Sequence, residues 1–248
     1  EKFMSGKTAS FQTSIGSYQE SGSGSATNKD LETLFELIYV HFTALNKNDA
    51  VFGAYFNSLK AYYPSLLSNP QTFFQIASSD KQNEGNERYT GFPSDEDFDA
   101  VDYDLAHKLR GTRFADANDF TFFFSGNFEK EVLEELIQKY LGALPVLPSK
   151  EAYQEPKFRF ADAYERFNVK KGADPKSYVN FTWREEMPYN AETKMHIDAL
   201  GELLSIKLIE KLREDESGVY GVGASGSMQQ IPYGSMTFRI AFPCGPEN

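Results

Sequence analysis

The stretch DFTFFFSGNFEKEVLEELIQKYLGALP, residues 119–145, has the pattern of a strand, a turn and a helix in immediate succession. Apolar residues fall on both faces of Asp119–Ser125, which predicts a strand lying centrally in a covered sheet. Gly126-Asn127 would then turn the chain into a helix at Phe128–Leu141, with Gly142 where a C-terminal cap is expected. The stretch therefore predicts helices packed on a sheet.

The residues before this stretch predict one further strand and three further helices. Alternation of polar and apolar residues at Lys7–Ile15 predicts a half-buried strand, and the Gly/Ser-rich Ser21–Ala26 predicts a loop. Thr27 and Asp30 have the spacing of a capping box ahead of a helix with one apolar stripe. The other helices are expected at Asp49–Lys60 and at Ser94–Leu109, the latter with Phe98, Val101, Leu105 and Leu109 facing inward. A polar stretch, Ser78–Gly91, separates these two.

A domain boundary is expected in the segment 145–156, where prolines alternate with polar spacers. Beyond it the sequence predicts strands at about Phe158–Val169, Ser177–Arg184, Val219–Met228 and Ser235–Phe242, and a long helix at Asn190–Arg213 that buries Leu200, Leu203, Leu204 and Leu208. Both halves of the chain thus combine helices with a sheet, which places the fold in the α+β class.

Composition excludes several classes of protein. The 248 residues are 40% hydrophobic, enough to bury one large or two modest cores. A formal net charge of −11 repels phosphate backbones and anionic lipids, so nucleic acid is not expected as a partner. No apolar run approaches the roughly 20 residues of a membrane span. Cys244, the single cysteine, excludes an internal disulfide and a multi-thiolate metal site, but leaves the compartment open.

Two patterns that resemble known sites lack the context that those sites need. Gly221, Gly223 and Gly226 spell the G-x-G-x-x-G of dinucleotide-binding sites, but another strand follows where a helix is required. These glycines are instead expected to shape a bent or closely approached strand. The three histidines of the chain are too scattered for a local metal pair, and the zinc motif H-x-x-E-H does not occur.

One segment violates a local rule. Arg213 precedes three consecutive acids, residues 214–216, at the predicted C-terminus of a helix, where the helix dipole disfavours negative charge. Such violations tend to mark functional places. On these residues alone, however, Arg213 is more simply a dipole partner of its own helix and Tyr220 an ordinary strand aromatic.

Two longer stretches resemble pitrilysin/insulinase-type zinc metallopeptidases, and in particular bacterial members of that family. Leu212–Val222 is similar to the arginine-to-tyrosine segment of the non-catalytic half, with Tyr220 seven residues after Arg213. Phe124–Pro145 resembles the strand, turn and helix that close the odd-numbered domains, and Arg113–Ala117 just upstream fits the bacterial members.

The resemblance implies a C-terminal, non-catalytic half made of two tandem helix-on-sheet domains of the pitrilysin/mitochondrial processing peptidase type, with mainly antiparallel sheets. Residues 1–148 would be the later part of a third domain, 149–157 a linker, and 158–248 the first part of a fourth. Both ends are expected to be cuts through a larger protein, since Glu1 is not an initiator Met and the last residues are loop-like.

The function implied by the resemblance is that of a chamber wall facing a zinc site. Zinc would belong to the N-terminal half of the same polypeptide, so this chain alone has no cofactor and should be inactive. Tyr220 would donate a hydrogen bond to the developing oxyanion, and Arg213 would hold a nearby carbonyl of the peptide substrate. The strand Val219–Met228 is a candidate to pair with an extended peptide. A periplasmic location is the expectation at the level of the family.

Two other functions remain open on the sequence. The first is an inactive pseudo-peptidase domain that serves as a peptide-binding or assembly module, which the missing zinc motif supports equally well. The second is an acidic α+β protein with no link to peptidases.

Overall fold

The computed structural model describes residues 4–148, 151–160, 163–173, 175–215, 219 and 221–245. In chain order its main elements are β1 (Ala9–Ile15), β2 (Glu20–Ala26), α1 (Leu31–Thr43), α2 (Asp49–Leu66), α3 (Pro70–Gln82), α4 (Asp95–Asp99), α5 (Tyr103–Arg113), α6 (Lys130–Leu136), β3 (Ser177–Glu186), α7 (Ala191–Leu208), β4 (Gly223–Gln229) and β5 (Ser235–Cys244). Helices and antiparallel sheets occur together, which confirms the predicted α+β class.

The chain divides into two compact units. The first comprises Glu1–Phe56 and Asp95–Tyr153, and the second comprises Asn57–Ser94 and Gln154–Asn248. The linker at 149–157 and the two family domains on either side of it stay predictions.

In the first unit, β1 and β2 form an antiparallel hairpin, so the predicted loop at Ser21–Ala26 was wrong. The small residues were misleading because the ring of Phe11 lies over β2. A Cβ on Gly22 would lie 2.6 Å from Cζ of Phe11, and one on Gly24 would lie 2.8 Å from Cδ1 of Leu34. Glycine is therefore required here by a close approach inside a strand.

Asp30 connects this hairpin to α1. Its carboxylate accepts hydrogen bonds from the Thr8 amide at 2.8 Å and from Oγ1 of Thr27 at 3.0 Å. The bond from Thr8 is the main reason that the pKa of Asp30 lies below its usual value. The predicted capping box does not form, since the Thr27 hydroxyl binds this carboxylate and caps no helical amide.

The core of the first unit surrounds α1. Leu34, Ile38 and Phe42 pack with Phe114 and Leu144, while Phe35 packs with Leu133 and Leu136. The helical spacing of these apolar residues predicted the buried stripe of α1 correctly.

The segment 119–125 is not a strand, contrary to the prediction. Phe120, Phe122 and Phe124 pack against the core around α1, but Phe123 between them is 89% exposed. One face of an extended segment is therefore covered, and within the described residues no strand pairs with it. Phe123, on the exposed face of the segment, misled the prediction, because apolar residues on both faces indicated a sheet covered on both sides.

The helix predicted at Phe128–Leu141 is confirmed, although it starts at Lys130. The α-helical part is α6, and the chain continues through a wider π-helical turn at Ile137–Leu141. Gly142 follows with φ −64°, which is not the left-handed cap expected. A Cβ there would lie 2.7 Å from the carbonyl oxygen of Gln138, so a close backbone approach favours glycine.

The helix predicted at Ser94–Leu109 is two helices, α4 and α5. Asp102 separates them because its side chain accepts from the Leu105 amide at 2.9 Å and starts a new helix. Phe98 is buried as predicted, but Val101, Leu105 and Leu109 are about half exposed, at 47, 51 and 53%.

The second unit contains a three-stranded antiparallel sheet in the order β3-β5-β4. β3 and β5 confirm the strands predicted at Ser177–Arg184 and Ser235–Phe242. The strand predicted at Val219–Met228 is confirmed from Gly223, where β4 begins, whereas Tyr220 lies outside the described residues. The described part of Phe158–Val169 is not a strand, contrary to the prediction.

A helix of this unit, α3, covers part of the stretch described above as polar. Asn69 caps it by accepting from the amides of Gln71 and Thr72, each at 3.0 Å, and Pro70 occupies its first turn. An asparagine at the N-cap followed by proline is a recognised signal for the start of a helix, so this helix was detectable from the sequence.

Helix α7 packs closely on β4. A Cβ on Gly226 would collide with Cγ2 of Ile197, and one on Gly201 would lie 3.1 Å from Cα of Ser225. The closely approached strand predicted from the glycine pattern is thus confirmed at Gly226. Helix α7 thus presents Ile197, Gly201 and Ser205 to the sheet. Leu200 and Leu203, which were predicted to be buried, are 45 and 54% exposed.

Candidate functional site

The structure describes only one of the two predicted site residues. Arg213 lies in the π-helical turn Ile209–Asp215 that continues α7, and its side chain is exposed. Tyr220 lies outside the described residues. The predicted pairing of these two side chains therefore stays a prediction.

The three-stranded sheet has two chemically different faces. Residues opposite each other in an antiparallel pair point to the same face, so the register assigns every side chain. One face is mainly apolar: Val179, Phe181 and Trp183 of β3, Phe238, Ile240 and Phe242 of β5, and Ala224, Gly226 and Met228 of β4. The other is polar: Asn180, Thr182 and Arg184 of β3, Thr237 and Arg239 of β5, and Ser225 and Ser227 of β4.

A cleft of about 530 Å³ lies between this polar face and helix α3. Its lining residues are Gln75, Ser78, Ser79, Gln82 and Asn83 from α3 and its C-terminus, and Thr182, Arg184, Thr237 and Arg239 from the sheet. The volume is within the range of about 300 to 1,000 Å³ that is typical of ligand sites. All of these side chains are polar, and the charged ones among them are the two arginines.

Arg184 is held in place on both sides. Its Nη2 donates to Oε1 of Gln82 at 2.7 Å, and its guanidinium stacks 3.9 Å from the centre of the Phe160 ring. Burial lowers the pKa of Arg184 from its usual value, and the positive charge of Arg239 lowers it further. The guanidinium remains charged, because arginine side chains are not deprotonated in proteins.

Arg239 lies diagonally across the strand pair from Arg184, because Arg239 is opposite Thr182 and Arg184 is opposite Thr237. Its Nε donates to Oδ1 of Asn180 at 2.8 Å, which fixes the plane of the guanidinium. Within the part of the chain that the structure describes, no carboxylate pairs with either arginine.

The sheet side of the cleft and the end of α7 lie in a part of the chain that matches a known family, whereas α3 lies before that part. The sequence model described as "Peptidase M16 inactive domain" matches residues 112–248, which is more than half of the chain. The chain belongs to this family. The resemblance to the non-catalytic half of pitrilysin/insulinase-type peptidases is thereby confirmed.

Solved structures of M16 proteases share the fold. The periplasmic protease PqqL from Escherichia coli matches with a TM-score of 0.82 and 22% identity, over 99% of this chain and 27% of PqqL. The ferredoxin protease FusC, in complex with Arabidopsis ferredoxin, matches with a TM-score of 0.70 and 14% identity, over 99% of this chain and 27% of FusC. The M16 inactive domain from Pseudomonas fluorescens matches with a TM-score of 0.61 and 12% identity, over 96% of this chain and 57% of that domain. No curated protein matches.

This M16 inactive domain thus spans about a quarter of the length of PqqL and FusC. In its family, zinc belongs to the catalytic half, and the residues here do not fit such a site. No group of three or more His, Cys, Asp or Glu among the described residues could hold a metal ion. Nδ1 of His41 lies 3.5 Å from Nη2 of Arg110, and Nε2 of His107 lies 3.0 Å from the carbonyl oxygen of Leu45. A helix suited to crossing a membrane is likewise not found in the described part.

The two cleft arginines were missed from the sequence, although a signal was present. The apolar residues Val179, Phe181 and Trp183 predicted β3. The polar residues that alternate with them, Asn180, Thr182 and Arg184, were left without a role. An arginine in a strand of this kind indicates that the second face of the sheet is polar. Its proximity to Arg239 depends on strand pairing and could not be read locally.

Proposed function

We propose that this M16 inactive domain forms the wall of a peptide chamber opposite the zinc-bearing catalytic half of the same polypeptide. The observation that carries this proposal is the match of the family over residues 112–248, which include both Arg213 and Tyr220. The shared fold with two proteases over nearly the whole chain supports it. A periplasmic location, as for PqqL, belongs to the same proposal.

In this proposal Arg213 and Tyr220 contact the peptide near the bond that is cleaved. The exposed guanidinium of Arg213, beyond the end of α7, is available to hold a substrate carbonyl. The phenol of Tyr220 would donate a hydrogen bond to the oxyanion that develops during attack. A donor of this kind typically contributes about 3 kcal/mol to stabilising the transition state.

The test is Tyr220→Phe in the complete polypeptide. Turnover of a peptide substrate should fall at least about tenfold, because the donor acts on the transition state, while zinc content stays unchanged. Tyr164→Phe is a matched control, since Tyr164 is an exposed tyrosine of the same unit and should leave turnover unaltered.

Unchanged turnover in Tyr220→Phe would remove Tyr220 from the mechanism. The alternative function, an inactive module that binds peptides or supports assembly, makes a different prediction. The complete polypeptide would then bind peptides with measurable affinity but cleave none of them, even when supplied with zinc.

A further inference from the structure

The cleft on the polar face concentrates positive charge in an acidic protein. The chain carries a formal net charge of −11, yet the charged side chains that line the cleft are Arg184 and Arg239. Two acids of the unit are paired with other cations. Glu165 pairs with Lys81, and Glu186, two residues after Arg184 on the same face of β3, pairs with Arg159. The cleft is therefore a local site of attraction for anions.

This arrangement is unfavourable without a ligand. Diagonal neighbours in an antiparallel pair are about 7 Å apart at their Cα atoms, so the two guanidinium groups repel each other. Arg184 is also half-buried without a carboxylate partner among the described residues. An anion placed between the two groups would relieve both costs at once.

We propose that the cleft binds a carboxylate of a peptide, either an acidic side chain or the C-terminal carboxylate, as a subsite for acidic peptides. This rests on the proposed function, because it assigns a substrate class to the same peptide-binding half. Both guanidinium groups are held in fixed planes, Arg184 by Gln82 and Phe160, and Arg239 by Asn180. Such preorganised forks suit the planar, bidentate geometry of a carboxylate.

The remaining lining groups fit a peptide better than an inorganic anion. The amides of Gln75 and Asn83 and the hydroxyls of Thr182 and Thr237 can accept as well as donate hydrogen bonds. A peptide backbone supplies N–H donors for these acceptors, whereas fully ionised inorganic anions offer acceptors only. The cleft therefore matches a carboxylate with peptide bonds next to it.

The experiment measures peptide binding to the complete polypeptide by fluorescence anisotropy, in the presence of a chelator that blocks cleavage. The probes are a labelled glutamate-rich peptide with blocked ends and its glutamine counterpart. We expect the glutamate peptide to bind at least about tenfold more tightly, with a preference that weakens as salt is added. Arg239→Gln should remove most of this preference, because it removes one of the two guanidinium groups. Since Arg239 is exposed, its replacement leaves the sheet intact.

Lys207→Gln is the control, since it removes one positive charge from the same unit. Lys207 lies on α7 and pairs with Glu210 at 2.6 Å, so the preference for glutamate should persist in this variant. Arg184→Lys is a second variant that keeps the charge but loses the fork, and an intermediate preference is expected. A glutamine peptide with a free C-terminus identifies whether a terminal carboxylate occupies the site.

Equal binding of the glutamate peptide, the glutamine peptide and the glutamine peptide with a free C-terminus would overturn the proposal, as would a preference for carboxylate that survives Arg239→Gln. Its failure is separable from failure of the chamber-wall function. If the preference for carboxylate is absent but Tyr220→Phe still lowers turnover, only the carboxylate site is wrong. If the preference is present but Tyr220→Phe has no effect, the role of Tyr220 is wrong and the cleft stands.

Discussion

The two faces of the sheet β3-β5-β4 come from the same strands but have opposite properties. On one face Met228 and Phe238 are 7 and 8% exposed, and Gly226 lies against Ile197 of α7. On the other face the residues next to Phe238 in sequence, Thr237 and Arg239, line an open polar cleft. Alternation along a strand thus separates residues that stabilise the fold from residues that are available to a ligand.

The difference teaches where stability and function are expected to reside. Burial of apolar surface stabilises the first face, whereas the second face places two like charges near each other and contributes little to folding. Residues kept for binding are often neutral or costly for stability. Substitutions on the apolar face should therefore have large effects on stability, whereas substitutions on the polar face should mainly affect binding.

The largest effect on stability is expected for Phe238→Ala. This side chain of β5 is buried, and the centre of its ring lies 6.4 Å from that of Trp183, so its loss leaves a cavity. The free energy of unfolding should fall by about 3 kcal/mol. Urea unfolding followed by the fluorescence of Trp183, the single tryptophan of the sequence, measures this directly.

The matched control for Phe238→Ala is its neighbour on the opposite face. Arg239→Gln should change the free energy of unfolding by no more than about 0.5 kcal/mol, because it loses one hydrogen bond and gains relief from repulsion. A cost comparable with that of Phe238→Ala would mean that the polar face is part of the structural core.

A somewhat smaller effect is expected for Gly226→Ala on the face covered by α7. The new Cβ would collide with Cγ2 of Ile197 and lie 3.0 Å from Cδ2 of Phe238, so helix and strand must separate. Overpacking of this kind should cost about 2 kcal/mol in the urea experiment. Gly223→Ala in the same strand is the control, because a Cβ there meets nothing within 4 Å and stability should hardly change.

Elements that carry their own periodicity could be predicted from the sequence. Helix α1 and strands β3 and β5 were found because their apolar residues recur with the period of the element that they form. Strand β2 was missed because its glycines, required by the ring of Phe11, look like a flexible loop. The segment 119–125 was misassigned because its composition is typical of a strand, although no strand pairs with it within the described residues.

Local sequence patterns predicted the candidate site residues only in part. Arg213 could be singled out from a local violation of helix electrostatics and from a resemblance over neighbouring residues, while Tyr220 lies outside the described part. Arg184 and Arg239 could not be brought together from the sequence, because only the register of β3 and β5 makes them neighbours. Long-range pairing, rather than local pattern, creates the cleft.

The smallest effect is expected for Ser205→Ala, which tests how α7 protects the edge of the sheet. Oγ of Ser205 accepts from the amide of Ala224 at 2.8 Å and donates to its carbonyl at 2.9 Å. Strand β4 lies at the end of the strand order, so these bonds prevent another strand, including an extended peptide, from pairing at Ala224. Losing them should cost about 1 kcal/mol, partly offset by the better helix propensity of alanine.

Faster hydrogen exchange at the Ala224 amide would show the edge opening, whereas Ser227→Ala on the polar face should leave that exchange unchanged. If Ser205→Ala left it unchanged as well, the edge would be protected by packing under α7 rather than by this hydroxyl.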